Sequence, residues 1–340
     1  MKKLRGYQST DLSDSLFDTD TAKQKVFEFN RIVLEGMNRN SRKSLEAGIK
    51  QYLNFCQKES LVPFSKSLNI SRDTIHKYIE YMVVKGYAQA TLKNRLAAIS
   101  RIFRIIEIRN PLQESEIIKE YVKQSLIKLQ PAKQVTPIRH KELKSLTQLS
   151  NESTLVDIRN ALVLYLGIYT LCRASELLAI EISDIDLHQK TVFIRRAKND
   201  QFGVGRYANI SEKTASIIQL YLDKTNLTEG RLIRAISRGG NIQTTTYQYG
   251  SKKGQARDVM SYEGLLHIIK KISTVILNED QLNGTIGSHS LRVGSAVSMA
   301  EQGVEITQIA QAGGWKNLKM VLLYTRQANT KTTGTAHFID

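Results

Sequence analysis

Between residues 21 and 130 apolar side chains recur every three or four positions, and no stretch alternates with the two-residue period of a strand. The pattern predicts helices over residues 22–37, 41–59, 71–86, 90–107 and 114–129, a five-helix bundle. Leu45, Ile49, Tyr52, Leu53 and Cys56 form one such stripe. Ser41 and Ser71 are placed as N-caps, Asp73 in a first turn, and Gly86 as the residue that closes the third helix. Residues 1–20 are polar and aperiodic and are expected to form a loose tail. Pro131 and Pro137, two of only 4 prolines, interrupt the helical pattern, so a domain boundary is placed there. This gives a helical N-terminal domain over residues 21–131 and a second domain over 132–340.

In the second domain the pattern is mixed. Helices are expected over residues 139–149, 155–171, 212–222 and 261–277, the strongly apolar 155–171 segment serving as spine. Residues 191–195 and 205–210 read as a strand and its return, with turn chemistry over 197–201 between them. A polar insertion covers 237–258. Three short helices then fill residues 287–326: one starting at Ser288 or Ser290 and ending at Gly303, one over 305–312 that Gly313 and Gly314 stop, and one over 317–326. The fold class is mainly α with a small antiparallel β-sheet.

Charge narrows the function. The chain carries a net charge of +17, and residues 1–130 hold 23 Lys and Arg against 14 Asp and Glu, the remainder 26 against 18. Basicity spread over both halves favours an extended polyanion, because clustered cations gain affinity by releasing condensed counterions. Cys56 and Cys172 are the only cysteines and lack metal-ligand spacing, so a disulfide framework and a zinc site are not expected. The longest uncharged run, residues 160–172, is too short to span a bilayer, and a cytoplasmic protein with no membrane partner is expected.

Candidate chemistry gathers in the second domain. Arg173 emerges from the end of the apolar spine, where a guanidinium needs an anionic partner. Glu176 is either that partner or the residue that orients a neighbour while Arg173 faces a ligand. Lys198 lies at the expected hairpin tip, either solvated or able to swing over a bound backbone. His289 and Arg292, three residues apart at a helix start, project from one face toward its positive end, where an anion would sit. Tyr324 follows Met320, Val321 and Leu323, so its ring can be core and its hydroxyl displayed. Singly, each residue has an ordinary structural explanation.

As a set, with Trp315, they permit metal-free attack on a phosphodiester. Arginine forks bind non-bridging oxygens, His289 and the Trp315 indole add donors, Tyr324 is the nucleophile and Lys198 protonates the departing 5′-hydroxyl. No carboxylate cluster suited to a catalytic Mg²⁺ pair is evident, and no cofactor is expected. Three helix starts are candidates for DNA: Arg42, Lys43 and Ser44; Gln89, Thr91, Lys93, Asn94 and Arg95; and Arg257, Tyr262 and Glu263, whose helix could lie in a major groove. A solvated surface is the alternative for the first two.

The order of Arg173 with Glu176, a hairpin lysine, His289-x-x-Arg292, Gly-Gly-Trp315 and Tyr324 resembles the tyrosine recombinases, the phage integrase family. The likeness is densest from Gly287 to Arg326 and weak before residue 130. It implies a two-domain, C-shaped clamp on double-stranded DNA with inverted-repeat sites, and a homotetramer on that DNA. Strands would be exchanged through a 3′-phosphotyrosine and a Holliday junction without metal or nucleotide. By position, Arg173, His289, Arg292 and Tyr324 match the family's catalytic residues, Lys198 its general acid and Glu176 its supporting acid. Trp315 stands where many members carry a second histidine. Residues 1–20 are too short and acidic for an arm-binding domain, and the 328–340 tail resembles a segment that packs into a neighbouring protomer. A nucleoid-associated protein of bacterial, plasmid or phage origin follows. A type IB topoisomerase would share these residues but relax supercoils without a defined site, and a DNA-binding regulator would have no use for Tyr324.

Overall fold

The computed structural model describes residues 37, 39–130, 134–145, 149–150, 152–195, 204–243, 246, 254, 259–282 and 284–326. The N-terminal tail, nearly all of the helix expected over 22–37, the hairpin tip with Lys198, most of the 237–258 insertion and the 328–340 tail lie outside them. The chain divides into two compact units, residues 1–132 and 133–340.

In the first unit the described helices are α1 (Arg39–Lys58), α2 (Leu68–Val84), α3 (Gln89–Ile105), the short α4 (Pro111–Glu114) and α5 (Glu116–Lys128). Aromatic rings build much of the core. Tyr52 stands edge-on to Phe64 and Tyr78 at centroid distances of 5.6 and 5.0 Å, and Ile75, Met82, Leu92 and Ile99 close around them. Helices α1 and α3 meet where Gly48 abuts α3, since a Cβ at that position would come within 2.8 Å of the Ala98 Cβ.

Three expectations are corrected here. Helix α1 begins at Arg39 and α2 at Leu68, so Ser41 and Ser71 lie inside helices and Asp73 is beyond the first turn. Ser71 is buried, and its hydroxyl donates to the Ser65 carbonyl at 2.9 Å, tying the preceding loop to the helix. The helix expected over 114–129 is broken at Ser115, whose hydroxyl caps α5, while Asn110 caps α4 ahead of Pro111. Gly86 follows α2 with φ +67°, the left-handed conformation of a helix stop.

The second unit is organised on α6 (Leu155–Thr170), buried along nearly its whole length from Ile158 and capped by the Thr154 hydroxyl. It packs against α8 (Glu212–Thr225) and α11 (Ser290–Glu301). At its end Leu171 takes φ +50°, and this turn delivers Arg173 to the start of α7 (Ala174–Leu177). Where two strands were expected the described residues form three, antiparallel in the order β1 (Ile185–Asp186), β2 (Thr191–Ile194), β3 (Arg206–Asn209). The helix expected over 139–149 is a 3-10 turn at His140–Ser145, whose start is held by Glu142 accepting from the Arg139 amide and guanidinium. The remaining α-helices among the described residues are α9 (Tyr262–Ile276), α10 (Glu279–Leu282), α12 (Ile306–Gly313) and α13 (Leu318–Thr325). Among the described residues no helix is long and apolar enough to cross a membrane.

Helix α11 lies directly on the segment that enters the unit. Ile138 N donates to Ser290 O at 3.0 Å, and a Cβ at Gly294 would sit 1.8 Å from the Ile138 carbonyl oxygen. Gly294→Ala is therefore expected to cost about 3 kcal/mol, since the obstacle is backbone and must move as a unit. At roughly 2–4 °C per kcal/mol the unfolding midpoint should fall by about 6–12 °C in calorimetry. Gly303→Ala, at φ +81° with open space around the added carbon, should cost only about 1 kcal/mol. Equal losses in the two variants would refute the close approach as the cause.

Candidate active site

Arg173 is the N-cap of α7. Its Nη1 donates to Glu176 Oε1 at 2.6 Å, and its backbone N–H donates to Glu176 Oε2 at 3.0 Å. Glu176, 5% exposed, thus offsets the guanidinium and satisfies an orphan amide of the helix start with one carboxylate. Among the described residues the other donors of the Arg173 fork have no partner. Of the two sequence-based alternatives for Glu176, the structure shows the first: it is the anionic partner of Arg173.

His289 is the N-cap of α11 and Arg292 its third residue. The Arg292 side chain makes bonds within the protein that its spacing from His289 did not foretell. This side chain is 2% exposed and turns inward: Nη1 donates to the Leu171 carbonyl, Nη2 donates to the Gly313 carbonyl at 2.7 Å, and the guanidinium lies 3.9 Å from the Trp315 ring centroid. Two of its five N–H groups are spent on the ends of α6 and α12, where carbonyls carry the negative pole of each helix. Burial, then the nearby Arg173, pushes its pKa down to about 10, still a cation at neutral pH.

Gly313 makes the stacking possible, because a Cβ there would come within 2.0 Å of the Trp315 ring. Gly313→Ala is expected to push the indole off Arg292 and expose it. Trp315 is the only tryptophan, so the emission maximum of the whole protein should move to longer wavelength. An unchanged spectrum would show that the ring is held by something else.

Tyr324 sits half-buried on α13, its ring centroid 6.2 Å from that of Trp315. Its hydroxyl has no hydrogen-bond partner among the described residues. Val321 and Thr325 are the inward residues of α13, whereas Leu318, Met320, Leu322 and Leu323 are exposed, so the apolar background expected to make Tyr324 core is largely on the surface. Burial raises the phenol pKa, and Arg292 and Arg173 work against that rise. Burial and the same two arginines lower the His289 pKa, leaving the imidazole neutral at pH 7.

One residue of the pocket had not been singled out. Arg206 on β3 donates through Nη2 to the Thr170 carbonyl at 2.6 Å and to Cys172 Sγ at 3.8 Å, and its stem runs beside Gly314. Its Nη1 is buried with no hydrogen-bond partner. Arg206 and Arg292 therefore bridge the same gap between the end of α6 and the Gly313–Gly314 turn. The available signal was alternation: Arg206 shares the inward side of its strand with Ala208 and Ile210, an unusual place for a cation.

Residues 137–331, more than half of the chain, match the model of the phage integrase family. The chain belongs to the phage integrase family. As a tyrosine recombinase it is 22% identical over 279 residues to recombinase Cre of Escherichia phage P1, covering 79% of each chain. Its fold is shared with the integrase of transposon Tn1549 in complex with circular intermediate DNA, at TM-score 0.59, 14% identity and coverage of 92% of this chain and 99% of that one. The XerH site-specific recombinase bound to palindromic difH superposes at TM-score 0.59 and 17% identity, covering 97% of this chain and 92% of that one. The protein is a site-specific recombinase with a mainly helical fold and a small antiparallel sheet.

Of the residues singled out for this recombinase's chemistry, Arg173, Glu176, His289, Arg292, Trp315 and Tyr324 are brought together, and Lys198 lies outside the described residues. The candidate DNA contacts differ in availability. Lys43, Ser44, Lys93 and Asn94 are exposed, and Thr91 is half-buried. Arg42 pairs with Glu46 at 2.8 Å, and Arg95 Nε donates to Gln51 at 2.7 Å. The Gln89 amide donates to the Leu126 and Leu129 carbonyls at 2.7 and 3.0 Å, so it secures the end of α5 instead of being displayed. Glu263 is exposed, and Arg257 lies outside the described residues. Tyr262 is half exposed but points back to the pocket, its hydroxyl 3.1 Å from Ser288 Oγ, beside His289.

Proposed function

We propose that this recombinase cuts and rejoins duplex DNA through a 3′-phosphotyrosine on Tyr324 and a Holliday junction, without metal or nucleotide. The observation that carries the reading is the convergence of Arg173, Arg292 and His289 on the pocket that holds Tyr324, with Glu176 as the one carboxylate among them. A pocket with this surplus of positive charge is complementary to a phosphate and more so to the extra charge of a phosphorane-like transition state. Arg173 and Arg292 supply the donors, the neutral His289 adds another, and Trp315 holds Arg292 in plane by stacking. Lys198 protonates the departing 5′-hydroxyl.

Double-stranded DNA is the partner, with Lys43, Ser44, Lys93 and Asn94 as the first unit's available contacts. The active assembly is a homotetramer on a site built of inverted repeats.

The test is a trapping reaction in EDTA. The protein is incubated with a suicide duplex carrying a nick near the cleavage position, denatured and digested, and the adduct is mapped by mass spectrometry. A phosphotyrosine at Tyr324 joined to a 3′ end is expected. A requirement for Mg²⁺, or linkage to a 5′ end, would sink the mechanism, and relaxation of DNA lacking any defined site would favour topoisomerase action.

A further inference from the structure

Three side chains from two separate elements form a line that ends on the His289 imidazole. Tyr262, the first residue of α9, places Oη 3.1 Å from Ser288 Oγ, and that oxygen lies 3.4 Å from His289 Nδ1. A neutral imidazole carries one proton, and the partner of one ring nitrogen decides which nitrogen holds it. The heavy-atom positions fit two directions of donation along this line. They differ in chemistry: a phenol is a stronger acid than an aliphatic alcohol, hence the better donor and the poorer acceptor. Donation from Tyr262 to Ser288 frees the serine proton for His289 Nδ1, and the imidazole proton then resides on Nε2.

We propose that Tyr262 and Ser288 are a positioning pair that holds His289 in the Nε2–H tautomer, so that the ring presents a donor to the scissile phosphate. The proposal rests on the reading above that His289 serves that phosphate. It gives α9 a second task, since the helix start that was expected only to meet DNA also reaches the active site. Neither residue touches the reacting atoms in this scheme. The charged groups around His289, namely Arg292, Arg173 and Glu176, stay the same when either partner is changed, so the pair can be varied alone.

The decisive measurement is a two-bond ¹H–¹⁵N correlation spectrum of the full chain labelled in its 6 histidines, with His289 assigned from the signal lost in His289→Gln. The native protein should show His289 as the Nε2–H tautomer. Tyr262→Phe and Ser288→Ala should each give a mixture, and Ser288→Thr, which keeps the hydroxyl, should restore the native pattern. Adduct formation should slow about five-fold in each of the first two variants and no further in the double variant, as for one shared interaction, with the unfolding midpoint unchanged. A native Nδ1–H tautomer, or ring signals that ignore both substitutions, would overturn the pair. A tautomer that responds while His289→Gln cleaves at the native rate would leave the pair standing and remove His289 from the reaction, which separates the two failures.

Discussion

Tyr324→Phe is expected to abolish the covalent DNA adduct, a loss of about 10⁴-fold or more, while leaving DNA affinity and thermal stability close to native. Phenylalanine keeps the ring that packs near Trp315, and the deleted hydroxyl has no partner among the described residues, so its loss orphans no buried group. The same variant should bind DNA with an affinity that falls steeply with salt, because the counterion-release contribution comes from cations elsewhere on the surface. Gel separation of adducts on a suicide substrate, with titrations at several salt concentrations, checks both halves. Adducts forming at a comparable rate would move the nucleophile to another residue, and a nearly flat salt response would count against DNA as the partner.

Arg292→Met should cut adduct formation by about 10²–10³-fold, the usual consequence of losing one principal donor to a developing oxyanion, with a loss of stability of at most about 3 kcal/mol. Two opposing contributions set that limit. The buried cation is held at a pKa of about 10, below the ordinary arginine value, so its charged form is destabilised by folding. For a base depressed in this way the penalty is fully present at neutral pH and fades only above about pH 10. At about 1.4 kcal/mol per pH unit, substituting a neutral side chain recovers roughly 3 kcal/mol. Against this stand the donations to the Leu171 and Gly313 carbonyls, at about 1.5–3 kcal/mol each for charged donors. Stability and cleavage measured side by side decide it: parallel collapse of both would make Arg292 chiefly structural.

Much of this protein was legible from local pattern. The three-to-four-residue period located α1, α2, α3, α6, α8 and α9 because each buries one face against a core, and that requirement is written in every turn. Gly86, Gly303 and Gly314 marked helix ends because a left-handed residue is needed there. Failures came where a side chain could serve two geometries. Ser115 cuts a continuous apolar stripe by capping the next helix, and Glu142 closes a 3-10 turn where periodicity suggested an α-helix.

Sequence alone also determined which residue types were available to the site, and in what order. Only the tertiary structure decided what each does with its donors. Arg292 is committed to two carbonyls and an indole, Gln89 to the end of α5, Tyr262 to Ser288, and Arg206 to the same gap that Arg292 spans. These commitments join residues far apart in the chain, and a buried donor takes the best acceptor that packing brings to it. Spacing along one chain can therefore say that a cation is present, while the helix ends and rings around it determine whether it faces a phosphate or the protein's own backbone.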